Sequence, residues 1–409
     1  MKTSTLSPVA PSQRFVILDA LRGFALLGIC LANYPEFSLY TFLPAEAADA
    51  MPLATADRWA RCLLYALVDG KFYTLFSLLF GIGFSIIMGN ALRKGADGMR
   101  IFYRRMAVLT VIGLLHLMLL WSGDILMLYA LLGMLLPLFR NASNRSLLTW
   151  AAVLLLLPAC VDAVQALCGF DLSAPAVERQ WEWCARFGIT EDNFAYWLRD
   201  ARDYTGVLQF LVQGAWERMY EFIEGNRYFK VLGLFLVGFW IGRNRLYVKL
   251  DDLRPRLRLV TLVGLLWSLP LSALYSWSAV GGHPWGKMAH TLLYTLSVYP
   301  LALAYLTALC LLFLLTKEAR LWRWIAAPGR MALSNYIGQT LVGILLFYGV
   351  GLGWGASAGL LHTELIALAV YALQVLCSRL WLARFAFGPL EWLWRMLTYG
   401  KPLSLRQRR

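Results

Sequence analysis

The chain has 409 residues, of which 59% are hydrophobic and 15% charged, with a formal net charge of +14 and a mean hydropathy of +0.58. A soluble domain holds roughly 45–50% apolar and about 25% charged residues, so this excess exceeds what one core can bury. Lipid is the expected solvent, and an all-α, polytopic integral membrane protein the expected fold. The basic residues lie in short segments between apolar runs, as the positive-inside rule requires, so the expected partner is the bilayer and not nucleic acid.

Runs of about 17–25 apolar residues are candidates to span a membrane. Ten occur in chain order: 15–34, 72–90, 106–121, 124–139, 147–169, 228–242, 259–279, 290–315, 331–354 and 364–382. The first begins with the charged "LDALRG" and has no small-residue cleavage pattern after it, so it reads as a retained span and not a leader. Basic clusters follow every even run: Arg93, Lys94, Arg100, Arg104 and Arg105 after the second, and Arg395, Lys401, Arg406, Arg408 and Arg409 after the tenth. That alternation predicts both termini in the cytoplasm. Residues 170–227 carry ten acids and six Arg, with apolar residues at three- and four-residue spacing, which predicts amphipathic helices on the outer side. The expected organisation is a membrane half at 1–169, an extracytoplasmic helical segment at 170–227 and a second membrane half at 228–409. Of the seven cysteines, Cys168 and Cys184 both fall on the outer side and leave a disulfide open, and no metal-ligand spacing is present.

Polar residues inside the runs carry the functional expectation, because ionisable groups in spans are costly and usually face the protein interior. His116 lies about six residues before the turn "WSGD", and Asp124 starts the fourth run. His116 fits general acid–base work, with Asp124 brought near by the tight turn as its orienting carboxylate, directly or through a water or Ser122, and Asp69 as the substitute partner; the other reading is helix packing. Asp124 fits an N-cap, with or without a second role. Asp69 and Lys71 enter the second run from outside, as a functional pair or a snorkelling one. Asn33 closes the first run, and His290 opens the eighth. At the inner side, Arg22, Arg104 and Arg105 match the geometry of a phosphate group or simply mark the cytoplasmic side. The glycines of "FGIGF" (Phe80–Phe84) and "GVGLGWGASAG" (Gly349–Gly359) are read as small residues packing spans closely, not as phosphate loops.

Five segments carry a resemblance: "RFVILDALRGFALLGICLANY" (Arg14–Tyr34), "KFYTLFSLLFGIGFSI" (Lys71–Ile86), "GLLHLMLLWSGDILMLYALLG" (Gly113–Gly133), "GRMALSNYIGQT" (Gly329–Thr340) and "GPLEWLWRMLTYG" (Gly388–Gly400). Together they resemble the YeiB-like family of bacterial inner-membrane proteins, whose C-terminal half is a domain of unknown function. The opening motif, through Asp19, Arg22 and Asn33, is also similar to transmembrane acyltransferases such as heparan-glucosaminide N-acetyltransferase. Those enzymes place a His after the first span, and the segment that follows it here contains none.

That resemblance implies transfer of an acyl group from a cytoplasmic acyl-CoA, a co-substrate and not a tightly bound cofactor. The acceptor is a hydroxyl or amine on a small molecule, glycan or lipid at the outer face. In this scheme His116, Asp124 and Asp69 are catalytic, Asn33, Lys71 and His290 bind acceptor, and Arg22, Arg104 and Arg105 hold donor phosphates. No metal is expected, and a homodimer is compatible with the sequence. The alternative is a transporter or exporter of a small molecule or lipid, for which the same buried polar groups form a path.

Overall fold

The computed structural model describes residues 15–317 and 319–407. Arg14, Arg408 and Arg409 lie outside them. Each of the ten apolar runs forms a helix, the run at 331–354 only as far as Phe347. In chain order the principal helices are α1 (Val16–Phe37), α2 (Ala54–Leu63), α3 (Lys71–Arg93), α4 (Gly98–Leu119), α5 (Leu126–Gly133), α6 (Asn144–Cys168), α7 (Ala174–Phe187) and α8 (Tyr204–Glu224). They continue with α9 (Arg227–Arg243), α10 (Arg254–Val280), α11 (Gly286–Leu315), α12 (Arg320–Arg330), α13 (Ala332–Phe347), α14 (Leu360–Arg384) and α15 (Pro389–Tyr399).

Among the described residues, seven helices are long and apolar enough to cross a membrane: α1, the 40-residue stretch Ala54–Arg93, α4, α6, α10, α11 and α14. The remaining three runs make shorter helices, α5 with its 3-10 extension to Phe139, α9 and α13. At 1.5 Å per residue, the 17 residues of α9 reach only about 26 Å, just under the roughly 30 Å of a hydrocarbon core. Helix α9 sits inside the bundle, where protein surrounds it: Val231, Leu234, Phe235 and Leu236 are buried, whereas α5 and α13 turn Leu131, Leu341 and Leu345 outward.

Close helix approach explains part of the glycine pattern. A Cβ on Gly81 of α3 would collide with the Phe235 carbonyl of α9, and one on Gly238 would collide with the Leu78 carbonyl. Gly83, in the same "FGIGF" segment, faces open space. The segment Gly349–Gly359 departs from expectation. Helix α13 ends at Phe347, and the glycine-rich stretch is an irregular loop outside any span. Its backbone docks on other backbone, Gly349 N–H donating to Leu198 O (2.9 Å) and Ala356 N–H to Ser38 O (2.8 Å). A Cβ on Gly349 would collide with the Arg199 carbonyl.

The 170–227 segment is helical, as its periodicity predicts, and forms a cap over one end of the bundle. Cys184, Ile189, Leu198, Val207, Phe210 and Leu211 of the cap share one apolar cluster with Tyr34, Phe37, Trp121, Tyr336 and Phe347 of the bundle. Cys168 is exposed and Cys184 buried, and both are free thiols, so the disulfide left open by the sequence does not form.

Candidate functional site

Beneath the cap, α4 ends at Leu119 and the chain folds back through residues 120–125. Asp124 closes this turn, its Oδ2 accepting the Met127 N–H at 2.8 Å and so capping α5. Its other oxygen, Oδ1, lies 2.9 Å from His116 Nδ1. One carboxylate therefore fills both roles that the sequence allows it. No water or serine is needed between the two residues, because the chain leaves the helix early enough for Asp124 to lie beside the last turn of α4.

The opposite ring nitrogen, His116 Nε2, lies 3.0 Å from Thr340 Oγ1 on α13. A carboxylate accepts only, so Nδ1 carries the proton, Nε2 is the acceptor and the threonine hydroxyl donates to it. His116, Asp124 and Thr340 are 1%, 2% and 0% exposed. Trp121 and Tyr336 wall the imidazole, with ring centroids 6.1 and 5.2 Å away.

Thr340 is held by the placement of α13, whose first turn is capped by a residue from elsewhere in the chain. Glu391 Oε1 accepts the N–H groups of Leu333 (2.7 Å) and Ser334 (3.1 Å), and Oε2 accepts the Ser334 hydroxyl (2.5 Å). A carboxylate at a helix N-terminus is favoured by the free N–H groups and by the helix dipole. Further along α13, Asn335 Nδ2 donates to Ser378 Oγ (2.9 Å) and Gln339 Nε2 to Gln374 Oε1 (3.0 Å), both on α14. The motifs "GRMALSNYIGQT" and "GPLEWLWRMLTYG" are thus one structural unit.

Asp69, Lys71 and His290 gather at a second centre, so Asp69 is not a partner of His116. Between the first two, Gly70 has φ +74°, a conformation that favours glycine, and it passes tightly under Tyr294. This turn separates the pair. Asp69 Oδ2 accepts the Tyr275 hydroxyl at 2.5 Å, whereas Lys71 Nζ donates to the Tyr65 carbonyl at 2.7 Å. His290 packs on Tyr275 (4.9 Å) and its Nδ1 meets Ser278 Oγ at 3.1 Å. The sequence reading missed Lys230, Asp162, Tyr73, Tyr275 and Tyr294, which complete this centre. Helix α5 links the two centres, since Tyr129 donates to the Tyr73 carbonyl (3.0 Å) and meets Ser77 Oγ (2.7 Å).

The remaining residues fall elsewhere. Asn33 lies on α1 and is partly exposed, away from both centres' hydrogen bonds, while His283 and His362 are exposed. At the end of the bundle opposite the cap, Arg22 pairs with Asp19 (2.7 Å). The Arg105 guanidinium stacks 3.6 Å over Trp394 and lies within electrostatic reach of Arg22 and Arg395. Arg104 is exposed and donates to the Leu397 carbonyl at 3.1 Å. The structure therefore leaves Arg22 and Arg395 within electrostatic reach of Arg105 and turns Arg104 toward the end of α15.

Between the cap and the His116 turn is a cavity of about 30 Å³, lined in part by Glu36, Ser122, Glu217, Arg218 and Glu221. Arg218 Nε donates to the Ser122 carbonyl at 2.8 Å and the guanidinium pairs with Glu221. Burial, with Glu221 and Glu36 nearby, pushes the Glu217 carboxyl up to about 8. Among the described residues, no group of three His, Cys, Asp or Glu side chains is placed to hold a metal.

A family profile described as "Protein of unknown function (DUF418)" matches residues 241–401. The uncharacterized protein YxaH of Bacillus subtilis (strain 168) is 31% identical over 405 residues, covering 97% of this chain and 97% of its own. An uncharacterized 39.9 kDa protein in the amylase 3' region of Bacillus acidopullulyticus is 29% identical, covering 98% of this chain and 99% of its own. The uncharacterized protein YeiB of Escherichia coli (strain K12) is 29% identical, with 94% and 96% covered. No solved structure matches the chain. Similarity that runs the full length of these relatives, with the DUF418 match across the C-terminal helices, shows that the chain belongs to the YeiB-like, DUF418-containing family of membrane proteins.

Proposed function

We propose that the protein is a transmembrane acyltransferase of the bacterial inner membrane. It takes an acyl group from a cytoplasmic acyl-CoA and passes it to a hydroxyl or amine at the outer face. The observation that carries this reading is the buried hydrogen-bonded chain Asp124–His116–Thr340, with links of 2.9 and 3.0 Å. Asp124 fixes the tautomer that leaves Nε2 basic, and it stabilises the imidazolium once a proton arrives.

Thr340 Oγ1 relays the acceptor's proton to His116 Nε2 as the acceptor's oxygen or nitrogen bonds to the thioester carbonyl. The carbon–sulfur bond breaks, and the leaving thiolate recovers the proton from the imidazolium. Because Thr340 occupies Nε2, the ring serves as a base and not as an acyl carrier. The imidazole is 1% exposed, so an acceptor reaches it only when Trp121 or Tyr336 moves aside.

Ten spans with both termini cytoplasmic complete the proposal, on the strength of the basic clusters after every even run. His116 and Arg105 stand eleven residues apart on α4, about 17 Å along the axis. Donor phosphates held by Arg22, Arg105 and Arg395 would thus stay at the inner face while the thioester enters the bundle.

Calorimetry with acetyl-CoA and longer acyl-CoAs tests the reading. Binding to wild type that weakens at least tenfold in Arg105→Ala supports it. If no CoA ester binds, the acyltransferase is abandoned in favour of a transporter, for which the second polar centre is a solute path.

A further inference from the structure

Lys71 and Lys230 are 0% and 7% exposed, yet neither ammonium has a carboxylate within 4.0 Å among the described residues. Lys71 uses one of its three donors, on the Tyr65 carbonyl. The Lys230 ammonium makes no hydrogen bond there at all and sits 4.0 Å over the Tyr294 ring. Lys71 sits 5.1 Å over the ring of Tyr275, whose centroid is 5.6 Å from that of Tyr294. Two unpaired cations thus occupy adjoining faces of one tyrosine cluster. A cation–π contact recovers only part of what an ammonium loses on leaving water.

The nearby carboxylates are engaged by other groups. Asp69 takes the Tyr275 hydroxyl. Asp162 takes Asn226 Nδ2 (3.1 Å) and the Thr291 hydroxyl (2.6 Å), with Lys287 3.8 Å away. Glu224 takes Lys287 at 2.7 Å. A separate observation points the same way. Tyr299 is 8% exposed with its ring edge-on to Tyr294, and its buried hydroxyl has no hydrogen-bond partner. The centre therefore holds buried donors that no carboxylate uses.

We propose that the Lys71–Lys230 centre binds one oxyanion, a carboxylate or phosphate group, entering from the cap end. Partly exposed Asp69, Tyr73 and His290 mark the way in. The ammonium groups and tyrosine hydroxyls supply the charge and the donors that such a group requires. This site is distinct from the His116 chain and does not depend on acyl transfer: a transporter needs an anion site as much as an enzyme does.

The test is thermal melting of the full-length protein, purified without phosphate, with inorganic phosphate or acetate as probe. Lys230→Met and Lys71→Met are compared with wild type and with Lys249→Met at an exposed lysine. Without anion, Lys230→Met should melt above wild type, because an unpaired buried charge is gone. With anion, wild type should gain stability saturably, the two site variants should not, and Lys249→Met should follow wild type. Phosphatidylglycerol nanodiscs, set against phosphatidylcholine ones, distinguish a lipid headgroup from a free anion. A gain in phosphatidylglycerol alone, lost in Lys230→Met, assigns the lipid. The proposal is overturned if Lys230→Met melts below wild type without anion, or if all variants shift alike. Should neither site variant fold, saturable binding of radiolabelled phosphate to wild type decides, and its absence overturns the site.

Discussion

The two polar centres flank the same short helix, α5, and differ in how fully their groups are paired. At His116 both ring nitrogens, both Asp124 oxygens and the Thr340 hydroxyl have partners. At Lys230 a buried ammonium has only an aromatic face. A closed network holds its geometry, because opening any link strands a buried polar group at a cost of about 1–3 kcal/mol. An open one carries that cost already, and a ligand relieves it. The first centre is thus built for position and the second for occupancy.

The strongest way to break the comparison is to open the closed centre. His116→Ala should abolish release of CoA thiol from acetyl-CoA, a loss of about 100-fold or more if the ring is the base. It also leaves Asp124 Oδ1 and the Thr340 hydroxyl unpaired, so stability should fall with it, by about 1–3 kcal/mol. A variant that melts and turns over as wild type does would remove His116 from any working role. Asp124→Asn sharpens the point. Asparagine can cap α5 or accept the Nδ1 proton through its one oxygen, but it cannot do both. Turnover should fall at least about tenfold while stability falls by only about 1 kcal/mol.

The pairing of His116 with Asp124 was legible because an imidazole and a carboxylate stand eight residues apart across a tight turn in apolar sequence. Thr340 was not. It lies 224 positions from His116, and a threonine in a span usually bonds back to its own helix, so nothing local marks it. Asp69 and Lys71 were visible as ionisable neighbours. Their separation was hidden, because it depends on the left-handed turn at Gly70. Ten helical runs could be read from hydropathy. The glycines at Gly349–Gly359 misled because small residues serve close helix contacts and backbone-docked loops alike.

A smaller effect is expected where the two centres meet. Tyr129→Phe removes the hydroxyl that joins α5 to Tyr73 and Ser77. The loss should be about 1 kcal/mol, the net worth of an ordinary hydrogen bond, seen as a modest drop in melting temperature. If α5 is what couples the centres, the same variant should also reduce the stabilisation that phosphate gives at the Lys230 site. An unchanged phosphate response would make the centres independent neighbours.

The smallest effect concerns the cap above the closed centre. Burial first, then the charges of Glu221 and Glu36, raise the Glu217 carboxyl to about 8, against an ordinary value of 4.5. Arg218 opposes the shift without cancelling it. Between pH 4.5 and 8 the folded protein therefore holds a proton at Glu217 that the unfolded chain has released. The folded state binds more protons there, so stability falls as pH rises through this window and is fullest below pH 4.5. Glu217 is partly exposed, so water screens much of the interaction and the decline should be shallow. Melting temperatures at pH 5, 6, 7 and 8 should decline for wild type and decline less for Glu217→Gln, which is neutral throughout. Identical slopes would mean that Glu217 ionises as a surface carboxylate does. The cap would then contribute no proton-linked stability above Trp121, and the acidic lining of its cavity would be ordinary solvated surface.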